Sequence, residues 1–420
     1  MDVRIKPSQL QGTIVAPPSK SMAHRALICA ALSDGESLIS NVALSEDISA
    51  TINTLTALGA KFSVEGSQVT VSGIKTPNSS ATIDCTESGS TLRFLIPIAA
   101  AFGVDAKFTG KGSLFPRKIT LYISEFSAKG VDISAETIPF DMSGKLQAGT
   151  YTIDGDISSQ FISGLLFALP LINGDSEIKI NGKLQSKPYA DMTIGALADF
   201  GINVTETENG YHIKGNQKYT SADYTVEGDC SQIAFYAVAG AIGSTITCKG
   251  INLNTKQGDR QIIDIIRDCG AKIEVLGDMI AVSPMELSAF SVDVCDIPDL
   301  VPILAVLATF CDGKSTLYNA KRLRIKESDR LNSTATLINS LGGNVAEYDD
   351  YIEITGVESL KGGETDSFND HRIAMSAAIL ALRCEGDVVL SKAESINKSY
   401  PSFYEDYNKI GGSANVINME

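Results

Sequence analysis

Cations stand at the entrances of apolar helical runs in this chain, with carboxylates among them. In "PPSKSMAHRALICAAL", residues 17–32, Lys20 and Arg25 flank the start of such a run. The first turn of a helix leaves backbone N–H groups unpaired and carries a partial positive charge. Pro17 and Pro18 keep the preceding chain extended, and Ser19 or Ser21 can cap the helix. Two full charges beside that end suit a phosphate or a carboxylate. Arg93, Arg117, Lys326, Arg330, Arg372 and Lys398 stand at comparable places. Acid–base candidates lie among them: Asp299 in "DIPDLVPILAV", and Glu327 and Asp329 in "KESDR". A neighbouring lysine lowers a carboxyl pKa and burial raises it. Taken alone, "KESDR" also reads as a salt-bridged helix start, and Asp299 as a cap.

The elements that must position these groups repeat. "RALICAALSDGESLIS", "LRFLIPIAAAFGVDAKFTG", "ISGLLFALPLINGDSEIKI", "IAFYAVAGAIGSTITCKG", "LVPILAVLATFCDGKSTLYNA" and "IAMSAAILALRCEGDVVLSKA" each read as an apolar helix, a glycine turn and a strand. A second series interleaves with the first. Its amphipathic helices end at Gly59, Gly130, Gly201, Gly270, Gly342 and Gly411, about seventy residues apart, followed by strands that turn back as hairpins. The chain is therefore six copies of one strand–helix–strand–helix–strand–strand unit. Six is too many for one core, so two domains of three are expected, with a seam near residues 215–228. The first-series helices are apolar nearly all round and should be buried. If the repeats are related by rotation, their N-termini and the cations beside them line a cleft between the domains, suited to a ligand with several negative charges.

Bulk properties narrow the class. With 420 residues, 44% of them hydrophobic, and a net charge of −15, the chain is globular and lacks the basic balance of a nucleic-acid binder. Its eight cysteines form no CxxC pair and lie in apolar patterns, as reduced buried thiols do. Its three histidines are far apart, which argues against a structural zinc site. "MDVRIKPSQL" has no apolar leader segment, and a soluble cytoplasmic protein is expected. "CDGKST" lacks the first glycine of a P-loop, because residue 308 is Ala308. "GKGSLF" lacks the third glycine of a dinucleotide fingerprint.

Taken together, "PSKSMAHRAL", "SSQF", "SKPYADMT", "IPDL", "KESDRL", "NDHRIAM" and "NKSYPSF" resemble the 5-enolpyruvylshikimate-3-phosphate synthase family of enolpyruvyl transferases, in the family's order and over essentially the whole chain. The resemblance implies a two-domain inside-out α/β barrel fold of six βαβαββ repeats, three per domain. It implies a discontinuous domain of residues 1–17 plus 227–420, a second of residues 18–226, and an active-site cleft between them. It implies transfer of the enolpyruvyl group of phosphoenolpyruvate to the 5-hydroxyl of shikimate 3-phosphate, with release of phosphate and without metal or organic cofactor, by a monomer. Carried over by motif, Lys20, Ser21, Arg25, Ser158, Ser159, Gln160, Ser186, Asp299 and Lys326 would bind shikimate 3-phosphate, with Tyr189 beside them. Lys20, Gly89, Arg117, Gln160, Arg330, Arg372 and Lys398 would bind phosphoenolpyruvate. Asp299, Glu327 and Lys20 would be catalytic, Asp299 accepting the hydroxyl proton and Glu327 protonating the methylene carbon. Glyphosate would compete with phosphoenolpyruvate, for which Gly89 leaves room.

Two departures stand out. The family's common Asn-Ala-Gly-Thr reads Glu87-Ser88-Gly89-Ser90, which puts a carboxylate beside an anionic substrate unless Glu87 turns away or Arg93 neutralises it. An asparagine that precedes the Lys-Glu-x-Asp-Arg motif in some members is Arg322 here. The nearest alternative is the sister transferase acting on UDP-N-acetylglucosamine, which usually carries a cysteine near residues 110–117; this loop, "GKGSLFPR", has none. A non-catalytic anion-binding repeat protein is the other alternative, and it would not need Asp299.

Overall fold

Six helices present almost no polar face to solvent: Lys20–Leu32, Gly89–Phe102, Ser159–Ala168, Cys230–Ile242, Val301–Thr309 and His371–Leu380. Every residue of the last three is buried. A helix apolar all round must be covered on every side, and the computed structural model, which describes residues 1–418, covers these with sheets. The chain forms two compact units, Pro18–Val226 and a split unit of Met1–Pro17 with Glu227–Glu420. Each has its own apolar core. In the split unit the three buried helices pack against one another in all pairs.

The sheets show the repeat directly. Six four-stranded sheets share one order, in which the first strand of a repeat runs parallel to the second, the second pairs antiparallel with the fourth, and the fourth antiparallel with the third. The inner strands bury alternate residues, as in Glu36–Ser40 and Gln68–Ser72, so one face covers a helix and the other meets water. The sheets are separate and open; no closed barrel forms among the described residues.

Three sheets are completed by remote segments. Gly12–Val15 pairs with Ile246–Lys249 as the first strand of the fourth repeat. Asp2–Ile5 lies between Val388–Ser391 and Ala414–Asn418 as the last strand of the sixth. Tyr224–Thr225 runs beside Glu36–Ser40 as the first strand of the first repeat. This last strand falls inside the seam expected near residues 215–228, where two residues are too few to display alternation. All six second-series glycines have positive φ, from 81° to 117°. A left-handed residue there ends each amphipathic helix and releases the chain into the hairpin. The eight cysteines are all buried.

Candidate active site

The candidate residues of the 18–226 unit gather at the N-termini of its buried helices. Ser19, not Ser21, caps Lys20–Leu32, accepting from the Met22 N–H. Lys20 therefore begins the helix, and its ammonium donates to Asp47 at 2.7 Å. Arg25 lies one turn further in and is buried. Its Nε donates to Thr193 Oγ1 at 2.9 Å, its Nη1 to the Ser21 carbonyl at 2.7 Å and its Nη2 to the Tyr189 carbonyl at 2.8 Å. Burial pulls its pKa down to about 10, which leaves it charged at neutral pH. Its guanidinium also lies over the Phe94 ring. Arg25 thus ties the helix carrying Lys20 to the start of Lys187–Asp199, where Ser186 is held buried in a left-handed conformation.

A second group surrounds Gly89, the first residue of Gly89–Phe102. A Cβ there would stand 2.6 Å from Arg117 Nη1 and 3.0 Å from Arg93 Nη1. A side chain there would make the Arg117 guanidinium shift away from the helix end. Arg93 Nη1 donates to Gln160 Oε1 at 2.6 Å, and Gln160 Nε2 donates to Ser90 Oγ at 2.9 Å. Ser158 caps Ser159–Ala168 by accepting from the Gln160 N–H, so Ser158, Ser159 and Gln160 belong to one helix entrance. Glu87 accepts from Ser113 N–H at 3.2 Å and Ser113 Oγ at 3.0 Å, which directs its carboxylate to the turn Gly112–Leu114.

The split unit assembles the carboxylates. Arg330 is 1% exposed, and its guanidinium meets three of them: Nε donates to Asp370 at 2.8 Å, Nη1 to Asp299 at 2.7 Å and Nη2 to Glu327 at 2.6 Å. Asp299 also accepts from Arg372 Nη2 at 2.8 Å, and Lys326 Nζ lies 3.9 Å away. Burial would raise the Asp299 pKa, but Arg372, Lys326 and Arg330 together hold it well below the carboxylate range. Lys326 is pulled down to about 8, by burial first, with Asp299 acting against it. Lys398 donates to the Asn369 carbonyl at 2.8 Å, just before the helix that carries Arg372.

Asp299 is not a cap; it sits in the turn Pro298–Leu300 and its oxygens face cations. Asp329 takes the structural role that the sequence also allowed. It caps Arg330–Ser340 by accepting from Asn332 N–H, and it pairs with Arg324 at 2.9 Å. Arg322 is buried and donates to the Cys295 carbonyl. Several working residues escaped sequence reasoning. Asp370, fully buried, caps His371–Leu380 and holds Arg330. Asp229 accepts from the Ser231 hydroxyl at 2.6 Å, and Ser231 in turn accepts from Arg372. Asp47 and Thr193 anchor Lys20 and Arg25. Asp370 and Asp229 could have been found by asking which residue caps each apolar run.

None of the six buried helices has an acidic residue in its first turn. A cation at a helix N-terminus opposes the helix dipole, so Lys20 and Arg372 do not serve helix stability. Their positions suit an anion that accepts from both the side chains and the helix ends.

The chain matches the EPSP synthase (3-phosphoshikimate 1-carboxyvinyltransferase) family over residues 5–407. It is 45% identical to the 3-phosphoshikimate 1-carboxyvinyltransferase of Clostridium kluyveri, covering 98% of this chain and 97% of that one. It is 44% identical to the Clostridium novyi protein of the same description, covering 98% of both. An EPSP synthase structure from Acinetobacter baumannii superposes with a TM-score of 0.82 at 25% identity, over 99% of this chain and all of that one. The enolpyruvyl transferase NikO from Streptomyces tendae shares the fold, with a TM-score of 0.81 at 16% identity, over 100% of this chain and 99% of that one.

Proposed function

The chain belongs to the EPSP synthase family, and from that premise we propose how its residues divide the transfer of an enolpyruvyl group from phosphoenolpyruvate to the 5-hydroxyl of shikimate 3-phosphate. The reaction adds the hydroxyl oxygen to C2 of phosphoenolpyruvate and a proton to C3. The adduct then loses the C3 proton and phosphate, which regenerates the double bond. Lys20, Ser21, Arg25, Ser158, Ser159, Gln160, Ser186 and Lys326 bind shikimate 3-phosphate. Lys20, Gly89, Arg117, Gln160, Arg330, Arg372 and Lys398 bind phosphoenolpyruvate.

One observation carries the assignment of the base: Asp299 accepts from both Arg330 and Arg372. These guanidiniums keep it ionised and therefore able to take a proton, but they also make it a weak base. When the anionic groups of phosphoenolpyruvate engage Arg330 and Arg372, the cations holding Asp299 down are neutralised. Its pKa then rises as the hydroxyl arrives. Substrate binding thus strengthens the base at the moment of use. Glu327 accepts from the same Arg330 at 2.6 Å; once phosphoenolpyruvate engages that arginine its pKa rises too, and in the protonated form it delivers its proton to C3 and takes it back when the adduct collapses. The arginines and lysines stabilise the departing phosphate. The enzyme acts as a cytoplasmic monomer on small soluble anions.

The test is phosphate release from phosphoenolpyruvate with shikimate 3-phosphate and UDP-N-acetylglucosamine offered separately. Turnover with the first alone is expected. Turnover with the second alone would make the chain the sister transferase, and turnover with neither would favour an anion-binding repeat protein.

A further inference from the structure

Helix Glu46–Leu58 grips helix Lys20–Leu32 at two successive turns. Asp47 holds Lys20, and four residues on, Thr51 holds His24, with His24 Nδ1 2.8 Å from Thr51 Oγ1. Residues four apart share a helix face, so the two contacts form one seam. The second contact continues. Thr51 Oγ1 is 2.7 Å from Thr91 Oγ1, and Thr91 Oγ1 donates to Ser88 Oγ at 2.7 Å. Ser88 caps Gly89–Phe102, accepting from the Thr91 N–H as well. All four residues are buried.

The chain has one proton order. Thr91 spends its single hydroxyl hydrogen on Ser88, so Thr51 must donate to Thr91 and accept from His24. His24 is then the neutral tautomer with hydrogen on Nδ1. Nε2 is buried with no hydrogen-bond partner, as a bare lone pair can be at lower cost than an N–H. Burial, then Lys20, then Arg25 lower the His24 pKa, which agrees with a neutral ring. Ser88 has both lone pairs filled, which fixes the entrance of the helix that starts at Gly89.

We propose that His24 and Thr51 are positioning residues for phosphoenolpyruvate: through Thr91 and Ser88 they set the place of the Gly89 helix end relative to Lys20. This rests on the assignment of Gly89 to phosphoenolpyruvate above. Lys20 is held by Asp47, and Arg25 by Thr193 and the Ser21 and Tyr189 carbonyls, so the effect falls on the Gly89 helix end and on phosphoenolpyruvate.

The experiment is steady-state kinetics of Thr51→Val, Thr51→Ser and Gly89→Ala, with 15N NMR of His24 in the unmodified enzyme. Thr51→Val removes the hydroxyl at nearly constant volume. It is expected to raise KM for phosphoenolpyruvate about tenfold, the worth of one hydrogen bond, and to leave KM for shikimate 3-phosphate and kcat within about twofold. Thr51→Ser restores the wild-type value. The NMR spectrum shows hydrogen on Nδ1. A Thr51→Val enzyme with lower Tm and both KM values unmoved has lost packing only and overturns the proposal. Hydrogen on Nε2 overturns it without any variant. If Gly89→Ala raises KM for phosphoenolpyruvate and Thr51→Val does not, the relay alone is refuted. If neither does, the assignment of Gly89 has failed and the proposal with it.

Discussion

Replacing Asp299 with asparagine tests the proposed base most directly. The carboxylate accepts from Arg330 at 2.7 Å and from Arg372 at 2.8 Å. Asparagine offers one acceptor oxygen and turns an NH2 toward the other guanidinium. One charge-assisted hydrogen bond is lost, about 2 kcal/mol for a group that keeps some contact with water. In a unit of this size that lowers Tm by roughly 4–8 °C. The loss also has a pH signature. The folded pKa of Asp299 is depressed, so its contribution is present above the unfolded value, about 3.9, and disappears as pH falls toward the folded one. The Tm difference between wild type and Asp299→Asn should therefore shrink as pH falls below about 4. Catalysis loses more. Without a proton acceptor kcat falls by about 10² to 10⁴, while the dissociation constant of phosphoenolpyruvate holds or tightens, because Arg330 and Arg372 lose an internal competitor. Rapid-quench turnover and calorimetric binding measure the two terms. A kcat within about tenfold of wild type, or a dissociation constant that rises as far as kcat falls, refutes the reasoning.

Gly89→Ala puts a methyl group 2.6 Å from Arg117 Nη1, so the guanidinium must move; KM for phosphoenolpyruvate should rise about tenfold, glyphosate inhibition should weaken at least as much, and KM for shikimate 3-phosphate should hold. Lys326, with a pKa near 8, carries its charge only below that pH. Affinity of the free enzyme for shikimate 3-phosphate should thus fall as pH rises through about 8, and Lys326→Arg should remove that step from the binding profile. Asp329→Ala removes a cap and the Arg324 contact; stability should drop by about 1 kcal/mol in a denaturant titration with kcat within twofold, whereas a hundredfold loss would make Asp329 an acid–base residue.

The repeat and the chemistry were both legible before any coordinates. Glycine ends each second-series helix because the chain must turn left-handed there, and six such glycines at regular spacing are hard to miss. Lys20 and Arg372 were visible because a cation beside an apolar helix start opposes the dipole. Glu327 and Asp329 stand two residues apart in one string. Which of them faces Asp299's cations and which caps a helix depends on where the chain turns at residue 330.

The sequence by itself determined the unit, its sixfold recurrence, the burial of the first-series helices and the polar clusters at their starts. All of these are local, being set by periodicity, backbone conformation and side-chain type over a few turns. Only the tertiary structure decided who pairs with whom. The three carboxylates on Arg330 come from residues 299, 327 and 370, and the relay at Ser88 begins at residue 24 and passes through residues 51 and 91. Hydrogen bonds act over about 3 Å, so such partnerships exist only once separate helices have packed. The strand at Tyr224–Thr225 is another case: two residues hold no pattern of their own and become a strand because Glu36–Ser40 offers them an edge.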